Sequence, residues 1–362
     1  MSNSSLLINL SALMEEPTGI SVYARNLLPR LKTLEPTLLS SQQFLNFNSM
    51  SIPSGMSPEY GLKGHARRLW WLQTRLPEIY QRLGSRLIFS PLPEAPVCTD
   101  CRFVITVHDL IPLRFPNPRL PSTNYFRYVV PQIVKRAVHI VANSNATAQD
   151  LEHFYKINPR KITTIPLAYD QENFTFKARA AQPSKRRYFI YVGRQNIYKN
   201  VGYLINAFAR ITLKTDTQLW LVGPQDKRYT PPLLKQVQEL GIADRVHFLN
   251  YVAYAELPKL LAEAIALVFP SLWEGFGLPA LEAMACGTPV IASNVSSLPE
   301  VVGDAAVLIN PYKIDELANA MEAMATDINL CSAYQQAGLA RANQFSWAKT
   351  GQRTVEVLKR FL

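Results

Sequence analysis

An apolar run, Ala266-Leu-Val-Phe-Pro270, leads directly into Ser-Leu-Trp-Glu274-Gly275-Phe276-Gly277-Leu278-Pro279-Ala-Leu-Glu282-Ala-Met-Ala-Cys-Gly287. A short, continuous apolar stretch bounded by turn residues reads as a strand buried on both faces. Gly275 and Gly277 supply the turn, Pro279 opens a short helix and Gly287 closes it. A doubly buried strand that passes through glycines into a helix belongs to a parallel sheet, because the helix must carry the chain back to the same edge before the next strand begins.

The turn also has a chemistry. Pro279 brings no N–H, while Phe276, Gly277 and Leu278 can aim theirs outward, so the helix N-terminus offers unpaired donors and positive dipole to an anion. Two carboxylates flank that end. Glu274 precedes the helix, where it can reach a group joined to the anion. Glu282 lies a turn inside, where it can accept hydrogen bonds from paired hydroxyls such as those of a ribose. A nucleotide-sugar satisfies both.

The same alternation fills the chain. In the second half a buried strand ends Tyr-Val-Gly193-Arg194 and runs into Gln-Asn-Ile-Tyr-Lys199. Arg194 can grip a diphosphate through two parallel hydrogen bonds and Lys199 as a point charge. In the first half, Leu6–Leu13 reads as a strand, and a loop ending at Gly19, where backbone can come close to a ligand, leads into a helix from about Ile20 to Leu34. The strand Arg102–Asp109 ends in His108-Asp109, and the carboxyl ends of strands are where ligands bind in open α/β sheets. His108 either faces a ligand or caps a turn.

Residues 65–83 place Leu69, Leu72, Leu76, Ile79 and Leu83 on one stripe, with Arg68, Arg75 and Arg82 beside it and Trp70-Trp71 adjacent. Two readings stand: an amphipathic element on an anionic membrane, or a helix covering the sheet with a solvated basic face. Pro77 predicts a kink or a second helix start.

At 362 residues the chain suits two domains. Hydrophobic residues make up 48% and charged residues 18%, which excludes extended disorder. No apolar run reaches the length of a membrane span and no basic leader precedes Leu6, so a cytoplasmic protein is expected, without or with peripheral contact to the inner face of the plasma membrane. Cys98-x-x-Cys101 lacks a second pair or a histidine at ligand spacing, so no metal site and no disulfide framework is expected. Residues 1–180 carry 20 lysines and arginines against 12 acids, and residues 181–362 carry 18 against 15. The excess in the first half suits an anionic partner such as a lipid headgroup or lipid diphosphate, rather than nucleic acid.

Glu274-x7-Glu282 within EGFGLPALEAMACGTPVIAS resembles the signature of the family 4 retaining glycosyltransferases. That resemblance covers nearly the whole chain and implies the α/β GT-B fold: two facing Rossmann-like domains with parallel sheets and an interdomain cleft. The implied division is 1–178 as an acceptor-binding domain, joined by the last helix 346–362, and 179–345 as a nucleotide-sugar-binding domain. It assigns Arg194 and Lys199 to the diphosphate, Gly193, Gly275, Phe276, Gly277 and Leu278 to the same donor site, Glu282 to the ribose and Glu274 to the sugar. Gly19 becomes a donor contact, His108 the residue facing the transferred sugar, and Asp109 a sugar or acceptor contact. Many members carry two glycines at the first turn, where this chain has Thr18-Gly19. The implied enzyme is a retaining, metal-independent hexosyltransferase without cofactor, using a GDP-, UDP- or ADP-sugar on a saccharide or lipid-linked acceptor. Thr18-Gly-Ile-x-x-Tyr23 and Val107-His-Asp-Leu-Ile-Pro-Leu113 are similar to members that use GDP-mannose in surface polysaccharide synthesis. Replacing Glu274 by Ala is expected to abolish transfer with little effect on folding. The alternatives are another activity on the same fold, such as a phosphorylase or an epimerase, or a non-enzymatic basic protein binding membrane or nucleic acid.

Overall fold

The structure, a computed structural model, describes residues 5–14, 19–176, 187–211 and 217–362. Thr18 and the expected domain boundary at 178/179 lie outside the described residues. The chain divides into two compact units, Met1–Leu167 with Trp347–Leu362, and Ala168–Ser346.

The first unit holds seven parallel strands: β1 (Leu6–Asn9), β2 (Thr37–Ser40), β3 (Asn48–Ser51), β4 (Leu87–Ser90), β5 (Phe103–Val107), β6 (His139–Ala142) and β7 (Ile162–Thr164). Their order across the sheet is β3-β2-β1-β4-β5-β6-β7. The second unit holds β8 (Tyr188–Val192), β9 (Gln218–Val222), β10 (Val246–Leu249), β11 (Leu267–Phe269), β12 (Val290–Ser293) and β13 (Val307–Ile309), ordered β10-β9-β8-β11-β12-β13. In each sheet the order runs outward from the first strand and then switches to the other side, the Rossmann pattern that leaves a crevice at the carboxyl ends of the central strands. The central strands are apolar because both faces are covered. Tyr188, Phe189, Ile190 and Tyr191 of β8 are all buried, and each such side chain contributes roughly 1.5–3 kcal/mol of burial energy.

β1 stops at Asn9, earlier than the run to Leu13 predicts. The Asn9 side chain accepts from the backbone and hydroxyl of Ser11 and donates to Ser90 Oγ, which turns the chain locally. Helix α1 (Gly19–Leu31) buries Tyr23, Leu27, Leu28 and Leu31. The helix Trp347–Lys359 belongs to this unit: Gly351 lies against Arg30 of α1, Thr350 Oγ1 donates to Pro166 O at 2.8 Å and Arg353 Nη2 to Thr164 O at 2.7 Å.

Helix α2 (Gly61–Arg82) runs through Pro77 without ending. Leu72 and Leu76 on one side of the proline and Leu83 on the other are buried in the core, which outweighs the about 3 kcal/mol that an interior proline costs. The membrane-face reading of 65–83 is corrected in two places. Trp71 is buried while Trp70 is exposed, and Arg68 is buried in an ion pair with Glu94, so neither the tryptophan pair nor the arginine row presents one outward surface. A period of seven residues drifts around a helix by about 20°, and the Arg68 guanidinium found a carboxylate inside the unit. Among the described residues no helix is long and apolar enough to cross a membrane, and all four cysteines are free thiols.

Candidate active site

In the second unit the strands β8 and β11 are neighbours, and the segments that follow their carboxyl ends meet. Lys199 Nζ donates to Glu274 Oε1 at 2.6 Å and Oε2 at 2.8 Å. The ammonium also lies 5.4 Å from the centre of the Phe269 ring and 5.5 Å from that of Tyr198, a position that favours a cation over an aromatic face. Leu272 N donates to Tyr198 O at 2.7 Å, and Asn200 Nδ2 donates to Pro270 O and Pro311 O, so the two loops are stitched together by one backbone bond and one side-chain amide.

Glu274 is itself held. Its N–H donates to Ser296 Oγ at 3.0 Å, and Ser297 Oγ lies 3.0 Å from Glu274 O and 2.8 Å from Phe276 O. The helix Leu278–Ala285 starts one residue before Pro279, with Gly277 as its cap at φ +108°. A Cβ on Gly277 would lie 2.7 Å from Leu298 Cδ2, so both backbone and space require glycine there. Ala280 N donates to Gly277 O, while the N–H groups of Phe276, Gly277 and Leu278 have no acceptor among the described residues. They remain as donors at a helix N-terminus, with Lys199 nearby through Glu274.

Arg194 is exposed. Its carbonyl accepts from the buried Tyr191 hydroxyl at 2.6 Å, which fixes the backbone from which its guanidinium projects. Gly193 and Gly223, each closing a strand, have φ of +151° and +146°. A Cβ on Gly223 would lie 2.1 Å from Gly193 O, so the ends of β8 and β9 approach too closely for any side chain. The loop after β9 is tied to the loop after β8 by Thr230 Oγ1 donating to buried Gln195 Oε1. It also carries Asp226, whose carboxyl is lowered to about 2 by the Arg228 hydrogen bond and, in smaller part, by Arg194.

Glu282 is half-buried, one helical turn past Leu278. Burial first, and then the Asp170 carboxylate, raise its carboxyl to about 7. Cys286, one turn on, is pushed up to about 12 by burial and by Glu282. Tyr254 is raised by the same causes, burial and then the carboxylates of Glu282 and Asp170.

The first unit assembles a second cluster at the carboxyl ends of β4 and β5. His108 Nε2 lies 2.9 Å from Pro91 O. A carbonyl can only accept, so Nε2 carries the proton and Nδ1 is left as the ring's acceptor. Tyr23 of α1 meets the imidazole edge to face at 4.8 Å and bonds Thr106 Oγ1 at 3.0 Å, which brings the helix that starts at Gly19 beside His108. Burial lowers the imidazole to about 4. Asp109 Oδ1 accepts from Ile111 N at 2.9 Å, and space is open where a side chain on Gly19 would lie. Gly193, Arg194, Lys199, Glu274–Leu278 and Glu282 therefore belong to the second unit, and Gly19, His108 and Asp109 to the first. Tyr191, Phe269, Ser296 and Ser297 are site-building residues that the sequence reading missed; an aromatic inside a strand and a serine pair in a loop carry no spacing signal.

The family model for glycosyl transferases group 1 matches residues 172–341, and that for Glycosyltransferase Family 4 matches residues 17–173. The O-antigen chain mannosyltransferase B of Escherichia coli is 30% identical over 270 residues, covering 71% of this chain and 70% of the relative. The O-antigen chain mannosyltransferase RfbU of Salmonella typhimurium is 27% identical over 326 residues, covering 84% and 87%. Among solved structures, Anabaena HepE in complex with UDP and glucose superposes with a TM-score of 0.75 at 20% identity, covering 98% of this chain and 99% of its own. Two parallel Rossmann-ordered sheets in one chain, matched over their full length, define the GT-B fold. The chain belongs to the family 4 glycosyltransferases.

Proposed function

We propose that this glycosyltransferase moves mannose from GDP-mannose to a saccharide or lipid-linked acceptor in surface polysaccharide synthesis, with retention at the anomeric carbon and without a metal ion or cofactor. The observation that carries the reading is the convergence of Lys199, Glu274 and the Phe276–Leu278 amides at the carboxyl end of the second sheet. Breaking the glycosyl–phosphate bond leaves its electron pair on the diphosphate, and catalysis of that step rests on cations and amides set in place beforehand. Arg194, Lys199 and the amides of the turn, with Gly193 and Gly19, supply them. The acceptor oxygen forms the new bond to the anomeric carbon, and its proton passes to the departing diphosphate.

Glu274 meets the sugar hydroxyls, Glu282 the ribose, and His108 the transferred sugar, with Asp109 beside it. The mannosyl group is supported by the two O-antigen mannosyltransferase relatives, and a nucleotide donor by the UDP and glucose held by HepE. The basic first half favours an anionic acceptor or the anionic inner face of the plasma membrane, with the protein on the cytoplasmic side. The test is thermal stabilisation by GDP, UDP, ADP and their sugars, followed by acceptor-dependent release of the nucleoside diphosphate. GDP and GDP-mannose are expected to raise Tm, since a ligand bound only by the native state stabilises it. Failure of every nucleoside diphosphate to bind would overturn the reading, and release of free sugar phosphate or of an epimer without acceptor would point to another reaction on this fold.

A further inference from the structure

The loop Pro91–Val97, which follows β4, is held by three side chains from two elements. From α2, Arg68 Nε and Nη2 donate to Glu94 Oε2 and Oε1 at 2.7 and 2.9 Å, with both residues buried. One turn along the same helix, Gln73 Nε2 donates to Ala95 O at 3.1 Å and its Oε1 accepts from Val97 N at 2.8 Å. From the helical segment after residue 121, Tyr125 donates through its hydroxyl to Pro93 O at 3.1 Å. A fourth residue bonds the loop as well: Pro91 O accepts from His108 Nε2 at 2.9 Å.

A buried ion pair is a poor way to gain stability, because desolvating both charges offsets most of their attraction. Its value lies in fixing geometry. Four of the five N–H groups of the Arg68 guanidinium are engaged: beyond the two bonds to Glu94 it bonds Met56 O, and its Nη2 donates to His65 Nδ1 at 3.0 Å. His65 in turn packs edge to face on the Tyr125 ring at 4.9 Å. Two of the three side chains that hold the loop are therefore coupled to each other, and the loop carbonyl that fixes the His108 ring belongs to the segment they hold.

We propose that Arg68, Gln73 and Tyr125 are positioning residues for His108, acting through the Pro91–Val97 loop to set the tautomer and orientation of its ring. This rests on the reading of His108 as the residue that meets the transferred sugar. None of the three touches His108, so their effect passes through one hydrogen bond.

The test uses the full-length protein with Tyr125→Phe and Gln73→Leu, singly and together. Both keep the bulk of the side chain and remove only its hydrogen bonds to the loop. The double variant is expected to lower kcat by about tenfold to a hundredfold, as misplacement of a reacting group by up to about 1 Å does, with donor KM unchanged within about twofold and Tm within a few degrees. The 15N resonances of the His108 imidazole are expected to move towards a mixture of tautomers. Arg68→Met with Glu94→Leu, which fills the same space with apolar groups, is expected to show the same kcat loss; should it not fold, the double variant alone decides. Wild-type kcat together with wild-type His108 resonances in Tyr125→Phe/Gln73→Leu would overturn the proposal. Were the wild-type protein to transfer no sugar at all, the functional reading would fall, and the imidazole resonances would still decide whether the loop orients the ring.

Discussion

Lys199 Nζ sits 2.6 and 2.8 Å from the two carboxylate oxygens of Glu274, and both side chains are largely buried, at 14% and 9% exposure. The residue read as a diphosphate cation and the residue read as a sugar contact are thus partners before any ligand arrives. Each holds the other in place, and a diphosphate bound as proposed would compete with Glu274 for the ammonium.

Glu274→Ala removes one member of a buried pair and leaves the Lys199 charge without a counter-ion. The expectation of little effect on folding is therefore revised: a loss of about 3–5 kcal/mol in urea unfolding is expected along with loss of transfer. Glu274→Gln keeps a hydrogen bond to Lys199 and is expected to fold with a smaller loss, while kcat still falls by at least about a hundredfold. Full activity in Glu274→Gln would remove the carboxylate from the chemistry.

Arg194 differs because it is exposed and its backbone alone is fixed, by Tyr191. Arg194→Ala should leave Tm within about a degree, as surface substitutions do, and cost roughly 2–4 kcal/mol of transition-state stabilisation, read as kcat/KM. A fall in Tm without a fall in kcat/KM would assign Arg194 a structural role.

With the ribose contact proposed above, Glu282 would link donor binding to pH. Its folded-state value of about 7 is above the ordinary 4.5, so the native chain binds this proton more tightly than the unfolded chain does. The resulting stabilisation is complete at acid pH and is lost as pH rises through about 7. Ionised, the carboxylate accepts through both oxygens, while protonation turns one of them into a donor and weakens acceptance from two ribose hydroxyls, so donor KM is expected to fall as pH rises from 6 to 8, and Glu282→Gln to abolish that dependence. A donor KM that is flat across this range in the wild-type enzyme would separate Glu282 from the nucleotide.

His108 shifts the other way. Burial holds its folded-state value near 4, below the ordinary 6.5, so the neutral ring contributes stability above pH 6.5 that is lost as pH falls towards 4. Its NMR titration should show no resolvable protonation between pH 6 and 8, and kcat should have no limb there from this residue. An imidazole that titrates near 6.5 would mean that the site is solvated, contrary to the packing of Tyr23 against it.

Much of this was legible in the linear chain. The alternation of apolar runs and helical stretches gives a parallel α/β sheet because a doubly covered strand has to be apolar throughout, and Leu267–Phe269 is such a strand. The turn at Gly275 and Gly277 was legible because glycine is required where φ is positive, as it is at Gly277. Arg68 was not legible: its spacing from Arg75 and Arg82 marked a solvent row, yet it faces Glu94, 26 residues away.

Periodicity reports which side of an element meets apolar surroundings, and charge reports what has to be solvated or paired. Both are local properties, so the sequence by itself determined the layer architecture, the glycine turn and the inventory of cations and carboxylates. Pairing is decided by which segments the sheets bring together. Only the tertiary structure joined Lys199 to Glu274 across 75 residues, placed Gly223 against Gly193, and turned Arg68 inward, because a buried charge is tolerated only where a partner from elsewhere in the fold is already waiting.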